Sequence, residues 1–202
     1  MLFRSVHGAA EHSGRYDIFA ERFTREGYAV AGYDHPGHGQ SDGEPLMLNS
    51  FADYTSTLFA FEAQLSRDFP GTPLVLLGHS MGGLVCVNYL PDHQAGFVAC
   101  VLSGPAVKSE LKPGFVQMSL IRLLSRLLPK LGVLQLDSSG VSRIPEEVAR
   151  YDADPLVHRG KMTARLVHEL FHGMEVAERR ASEIQLPILL LHGGEDVMTA
   201  PA

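Results

Sequence analysis

Leu74-Val75-Leu76-Leu77-Gly78-His79-Ser80-Met81-Gly82-Gly83-Leu84-Val85-Cys86 is the stretch on which the fold turns. Four apolar residues without polar alternation read as a short strand covered on both faces. A Gly-x-Ser-x-Gly follows at once, and Leu84-Val85-Cys86 begins an apolar helix. A serine between strand and helix must sit on a sharp turn, which lifts its hydroxyl clear of the sheet. Glycine at 78 and 82 lets strand and helix approach without a Cβ clash. The same turn aims the Met81 N–H, at the new helix's N-terminus, toward charge developing on a substrate oxygen. Ser80 is therefore a candidate nucleophile and Met81 a candidate oxyanion donor.

Outward from this unit, short apolar runs alternate with amphipathic stretches from Met1 to about Pro105. That rhythm indicates an α/β chain, a mostly parallel sheet with helices on both faces. The strand candidates are Leu2–Val6, Tyr28–Tyr33, Leu74–Leu77, Phe97–Leu102 and, near the end, Ile188–Leu191. Helices are predicted near Tyr16–Glu26, Phe51–Asp68 and Gly82–Leu90. In the second, Phe51, Tyr54, Leu58, Phe61 and Leu65 recur at helical spacing and Pro70-Gly71 ends it. From about Val107 to Arg165 the rhythm changes. Pro113 opens a helix with Val116, Leu120, Ile121, Leu123, Leu124, Leu127 and Leu128 on a wide apolar face, and Ser119, Arg122, Ser125 and Arg126 on the other. Pro129 stops it. Residues 142–170 read as short helices joined by polar turns. The expectation is one domain over residues 1–202, with an insertion of about residues 107–165 between two sheet strands.

Three further places bear on chemistry. Val6-His7-Gly8-Ala9-Ala10 follows the first strand with small residues, so a second oxyanion donor is expected there, at the Ala9 amide. Leu189-Leu190-Leu191-His192-Gly193-Gly194-Glu195-Asp196 runs from a strand into a turn bearing an acid; Asp196 lies further into the turn, with Glu195 the alternative. Such an acid orients an imidazole and stabilises the imidazolium. All ten histidines precede Asp196, and none reads as a good base. His35 and His38, in Asp34-His35-Pro36-Gly37-His38-Gly39-Gln40-Ser41-Asp42-Gly43, have no suitably spaced third ligand; a tightly packed turn is expected, not a metal site.

The totals bound the alternatives. At 202 residues there is chain for one well-buried domain. The net charge of -6 comes with no basic cluster larger than Arg179-Arg180, which excludes a nucleic-acid partner. Cys86 and Cys100 lie in apolar stretches and read as buried free thiols. No secretory signal is recognisable and no segment has the length of a membrane span.

Taken together, these residues resemble the monoacylglycerol lipase family, in the serine-aminopeptidase-like group of α/β-hydrolases. The matching pieces are His7-Gly8-Ala9-Ala10-Glu11-His12-Ser13-Gly14-Arg15-Tyr16, the Asp34–Gly43 segment, Gly78–Gly83, Tyr151-Asp152-Ala153-Asp154-Pro155-Leu156 and His192–Asp196, in the family's order. The resemblance implies an α/β-hydrolase fold, a triad containing Ser80 and Asp196, oxyanion amides at Ala9 and Met81, and a polar pocket near Glu11, Arg15, His79 and Tyr151 for a glycerol head group. It implies a helical cap over the acyl chain, a lipid ester as substrate, peripheral membrane contact through the cap, and no cofactor. A cytoplasmic or peripheral-membrane location is expected. Ala10 stands where the family often has glycine. The family's first strands and its C-terminal segment with the catalytic histidine have no counterpart, so a fragment of a longer enzyme is expected. A lysophospholipase, a general carboxylesterase or a non-catalytic lipid-binding module are the alternatives.

Overall fold

In the computed structural model, which describes every residue except Glu110, Lys112 and Ala202, β1 (Leu2–Val6) and β3 (Leu74–His79) are two of the three inner strands of a parallel sheet. The order is β2-β1-β3-β4-β7, with β2 at Ala29–Gly32, β4 at Ala99–Ser103 and β7 at Ile188–Leu191. Strand residues alternate between faces, and β1 illustrates the consequence. Phe3 meets Phe19, Phe23 and Tyr28 around α1 (Asp17–Arg25). Arg4 faces the other way, its guanidinium 5.6 Å from the Phe61 ring and 5.0 Å from Phe97. On that side lie α2 (Ala52–Asp68) and α3 (Met81–His93). Helices thus cover both faces, which explains why the inner strands carry no polar alternation. Helix α3 is buried almost all round, from Met81 through Val87 and again at Tyr89 and Leu90.

Register decides where the chemistry sits. Val6 pairs with Gly78, Gly78 with Leu102, and Ser103 with Leu191. The His7 loop, the Ser80 turn and the turn after Leu191 therefore leave the sheet side by side at its carboxyl end, where open α/β sheets bind ligands.

Between β4 and β7 the chain forms α4 (Phe115–Leu127), β5 (Gly132–Leu134), α5 (Pro145–Ala153), β6 (Met162–Thr163) and α6 (Ala164–Arg180). Two features depart from the sequence reading. The antiparallel β5–β6 pair was not expected, being too short to show a period. The stretch expected as short helices up to 170 instead runs into one helix of 17 residues, α6, packed on α3 and α4. Gly173 masked its continuity. Its missing Cβ makes room for the Phe51 ring, whose nearest carbon would be 2.8 Å away. The Thr163 hydroxyl starts the helix by accepting from the Leu166 N–H at 3.1 Å. Cys86 and Cys100 are buried free thiols.

The Asp34–Gly43 segment is a turn knotted on one carboxylate. Asp34 accepts the Ser13 N–H at 2.7 Å and the Gln40 N–H at 2.8 Å. Gly39, at φ +52, lies so close that a Cβ would fall 2.2 Å from Asp34 Oδ2. The turn delivers His35 and His38 into a buried cluster with His7, at ring separations of 4.5, 5.4 and 6.2 Å. Tyr33 and Tyr54 pack on His35, while Asp34, Glu11 and His12 are the other ionisable groups nearby. Burial lowers the affinity of all three imidazoles for a proton, that of His38 to a pKa of about 4. The sign follows. Below the unfolded value of 6.5 the unfolded chain takes up protons that the folded chain refuses. Stability is full above that pH and falls by up to about 1.4 kcal/mol per pH unit for each histidine, until the folded pKa is reached. Thermal melts from pH 7 to 4.5 should show Tm dropping steeply below pH 6.5, and His38→Gln should flatten the slope. A level Tm across that range would contradict neutral burial.

Candidate active site

Ser80 joins β3 to α3 with φ 50° and ψ -119°, a conformation that costs on the order of 1–3 kcal/mol for a residue with a side chain. Backbone bonds hold it there. The Ser80 N–H donates to Ser103 O at 3.0 Å, and Ser80 O accepts from Leu84 N at 3.2 Å and Ala106 N at 2.9 Å. The flanking glycines are required by contact. A Cβ at Gly78 would stand 2.7 Å from both Cys86 Sγ and Gly82 O, and one at Gly82 only 2.0 Å from Val6 O. Gly82 thereby seats the N-terminus of α3 on the end of β1, next to the His7 loop.

That loop is pinned from several sides. The His7 Nε2 accepts the His35 N–H at 2.9 Å, so the ring proton is on Nδ1, which donates to Gly8 O at 2.8 Å. Since the Gly8–Ala9 peptide is trans, the Ala9 N–H points away from the His7 ring. Ala10 adopts φ 64°, a left-handed conformation that costs an alanine about 1 kcal/mol. The position at which the related family often has glycine thus keeps the glycine-type geometry with a methyl group. Ala10 O accepts the His158 N–H at 2.8 Å.

Ala9, Ser80 and Met81 line one cavity of about 110 Å³, with Leu134, Met174 and Thr199 among its other walls. Met81 is the first residue of α3, where backbone N–H groups lack intrahelical acceptors. Ser109, Leu111, Phe171 and Met174 are shared with a larger apolar cavity of about 630 Å³. Among the described residues lining the Ser80 cavity there is no histidine.

Asp196 lies in the turn after β7. Its Oδ1 accepts the N–H groups of Met198 at 2.8 Å and Thr199 at 2.9 Å, and its Oδ2 accepts the Thr199 hydroxyl at 2.9 Å. Partial burial works to raise its pKa, but the Thr199 and Met198 amides outweigh it and hold the carboxyl below the ordinary value. Glu195 points elsewhere, into an exposed ion pair with Arg143 at 2.8 Å. His192 approaches Asp196 Oδ2 at 3.4 Å with Nε2, which also lies 3.2 Å from both Thr199 oxygens. Thr199 was not singled out from the sequence, because a threonine three residues past an acid carries no distinguishing signal.

The expected polar group forms a cluster beside the Ser80 cavity rather than within its lining. Glu11 accepts from Gly8 N at 2.6 Å, Tyr16 Oη at 2.9 Å and Arg15 Nε at 2.9 Å. Arg15 stacks over Tyr151 at 4.6 Å. His79 directs Nδ1 to Ser103 O at 2.9 Å, and its Cε1 is 3.9 Å from where a Gly104 Cβ would stand. Burial works to raise the Glu11 pKa, and the nearby His79 ring and the Gly8 amide reverse it, leaving the carboxyl below its ordinary value.

Residues 3–202 match the family model described as serine aminopeptidase, S33. A monoacylglycerol lipase of Mycolicibacterium smegmatis is 37% identical over 191 residues, 95% of this chain and 68% of that protein. The human monoglyceride lipase is 33% identical over 94% of this chain and 63% of its own length. The crystal structure of Paleococcus ferrophilus monoacylglycerol lipase superposes with a TM-score of 0.87 at 35% identity, covering 99% of this chain and 76% of that one.

The contact at Gly82 gives a direct test of the turn. Gly82→Ala should cost on the order of 3 kcal/mol, since the new methyl meets a backbone carbonyl that no rotamer change can relieve. Gly71→Ala, at φ 71° in open space, should cost only about 1 kcal/mol. Urea melts of the two variants should differ accordingly; equal losses would contradict the close approach of α3 to β1.

Proposed function

The chain belongs to the monoacylglycerol lipase family within the serine aminopeptidase S33 group, and from that premise we propose that it is a serine ester hydrolase acting on monoacylglycerols or similar lipid esters. The observation that carries the proposal is the strained Ser80 turn, with Ala9 and Met81 lining the same cavity. Ser80 Oγ attacks the ester carbonyl carbon and gives up its proton to a base. The carbonyl π pair moves onto oxygen, and the Ala9 and Met81 N–H groups receive that oxyanion. Collapse expels the alcohol, which takes that proton back from the base, and leaves the acyl group on Ser80. Water, giving a proton to the same base, then attacks the acyl-enzyme, releasing the carboxylic acid and returning the proton to Ser80 Oγ. Asp196 is the acid that orients the imidazole base. The apolar cavities that adjoin the Ser80 site at Leu111 and Phe171 suit an acyl chain, and Glu11, Arg15, His79 and Tyr151 suit a glycerol head group.

None of the ten histidines is hydrogen-bonded to Ser80 or lines its cavity among the described residues. A serine hydroxyl is a weak nucleophile until a base within hydrogen-bond reach takes its proton. The 202-residue chain should react with a fluorophosphonate at Ser80, slowly, and Ser80→Ala should abolish the label in mass spectrometry. Its turnover of a monoacylglycerol should lie on the order of a millionfold below that of an intact triad, and added imidazole should raise it. Absence of Ser80 labelling would favour a non-catalytic lipid-binding protein. Ordinary turnover without imidazole would make one of the present histidines the base.

The segment between β4 and α6 serves as the cap, and α4 has two apolar sides. Leu120, Ile121 and Leu124 line a cavity of about 470 Å³, whereas Val116, Leu123 and Leu127 form an outward stripe with Leu120 at its border, Val116 being 77% and Leu127 69% exposed. Ser125, expected on the polar face, is turned inward and buried. An exposed apolar stripe flanked by Arg122 and Arg126 suits the surface of an anionic bilayer. Among the described residues no helix is long and apolar enough to cross one. Leu123→Asp should weaken co-sedimentation with phosphatidylglycerol-containing vesicles. Leu124→Asp should instead slow Ser80 labelling by long-chain phosphonates more than by ethyl ones. Equal effects of both variants in both assays would mean ordinary packing.

A further inference from the structure

We propose that Glu11 is a positioning residue for the oxyanion loop, its buried carboxylate clamping the Gly8 amide and so fixing the Ala9 amide beside Ser80. This rests on the hydrolase reading above and assigns Glu11 a different task from contact with the substrate alcohol.

Glu11 is 8% exposed, and both its oxygens are engaged within the protein. Oε1 takes the Gly8 N–H at 2.6 Å together with the Tyr16 hydroxyl at 2.9 Å, and Oε2 takes Arg15 Nε at 2.9 Å. A charge-assisted bond from a backbone amide to a carboxylate is short and roughly twice as strong as a neutral one. A side chain at position 8 would crowd both the clamp and Ser80. A Cβ on it would stand 2.9 Å from Glu11 Oε1 and 3.2 Å from Ser80 Cβ.

The direction of the Ala9 N–H depends on the two peptide planes that meet at Gly8. Glu11 holds the N–H of the first plane, and His7 Nδ1 holds the carbonyl of the second. Gly8 is the residue best able to rotate about φ and ψ, so without these two bonds the second plane can turn and carry the Ala9 N–H out of line. The following residue, Ala10, sits at φ 64° and adds strain that favours such a turn. Loss of one oxyanion donor costs about 10²–10³ in rate in a serine hydrolase.

The reaction of Ser80 with an alkyl fluorophosphonate tests this, because that probe carries no glycerol and its phosphoryl oxygen occupies the oxyanion position. Glu11→Ala should lower the limiting labelling rate on the order of 100-fold with the half-saturating probe concentration unchanged. Glu11→Gln, whose amide oxygen still accepts from Gly8, should restore the rate to within several-fold of the original. A folded Glu11→Ala protein that labels at the original limiting rate, or whose only change is a higher half-saturating concentration, would overturn the proposal. So would Glu11→Gln falling as far as Glu11→Ala while both melt as the unsubstituted chain does. If Glu11→Ala does not fold, amide hydrogen exchange in the unsubstituted chain decides. The Gly8 N–H should be among the protected amides, and exchange at the rate of an open loop would refute the clamp. Failure of the unsubstituted chain to label at Ser80 would instead count against the hydrolase reading, and the Gly8 exchange measurement stands apart from it.

Discussion

The approach of Gly82 to the Val6 carbonyl is the contact on which the arrangement depends. Nothing larger than hydrogen fits there, so the first turn of α3 rests directly on the end of β1. Three placements follow from that one contact. The Met81 amide comes next to the loop that leaves β1, and Ser80 is forced into its left-handed conformation to span strand and helix. Gly83 in turn meets Pro105, whose ring carbon would be 2.6 Å from a Cβ. The turn is therefore locked between the ends of β1 and β4, and the strain at Ser80 is held by packing on both sides.

What was legible in the sequence divides along physical lines. Strands buried on both faces announce themselves as unbroken apolar runs, and β1 and β7 lie where the runs placed them. The Ser80 turn was legible because its constraint is steric and local, written as glycines two residues either side. Asp196 was legible as an acid after a strand. Contacts between distant parts of the chain were not. Arg4 reads as a polar residue on a strand, yet it is fully buried, with NH1 3.6 Å from Glu62 Oε2 and two aromatic rings as neighbours. Its partners lie 57 or more residues away, and no short pattern points to them. The two-sided use of α4 was hidden for a similar reason. A wide apolar arc fixes only that much surface avoids water, and α6, packed against α4, selects which part of the arc turns inward.

The Asp196 turn follows a less buried strand than the Ser80 turn does. The four residues of β7 are 44–54% exposed, against strands β1 and β3 that are almost wholly covered. The Asp196 turn is instead tied to the segment leaving β4. Gly104 N donates to Leu191 O at 2.7 Å, Ala200 N to Lys108 O at 3.1 Å, and Thr199 Oγ1 reaches Gly104 O at 3.3 Å. The Ser103–Ser109 stretch consequently touches both halves of the site: its Ser103 carbonyl holds the Ser80 N–H and the His79 ring, and its later residues hold the acid's turn. One stretch of backbone thus ties the Ser80 turn to the Asp196 turn.

The His7–Ala10 loop is held in a different manner, and the difference bears on how each part tolerates change. Ser80 is constrained by backbone atoms and glycines, so few side-chain substitutions reach it. The loop from His7 to Ala10 is constrained mainly by side chains: His7 on Gly8 O and Glu11 on Gly8 N. The end of α5 and the residues after it add contacts through Tyr151 on Arg15, Asp154 on His12 at 2.8 Å and His158 on Ala10 O. Of these, His158 touches the loop itself, and Tyr151 and Asp154 hold the residues that follow it. A Ser80 turn fixed by backbone contacts thus stands beside a loop held by side chains, so substitutions at His7 or Glu11 reach the loop while leaving the turn's own contacts in place.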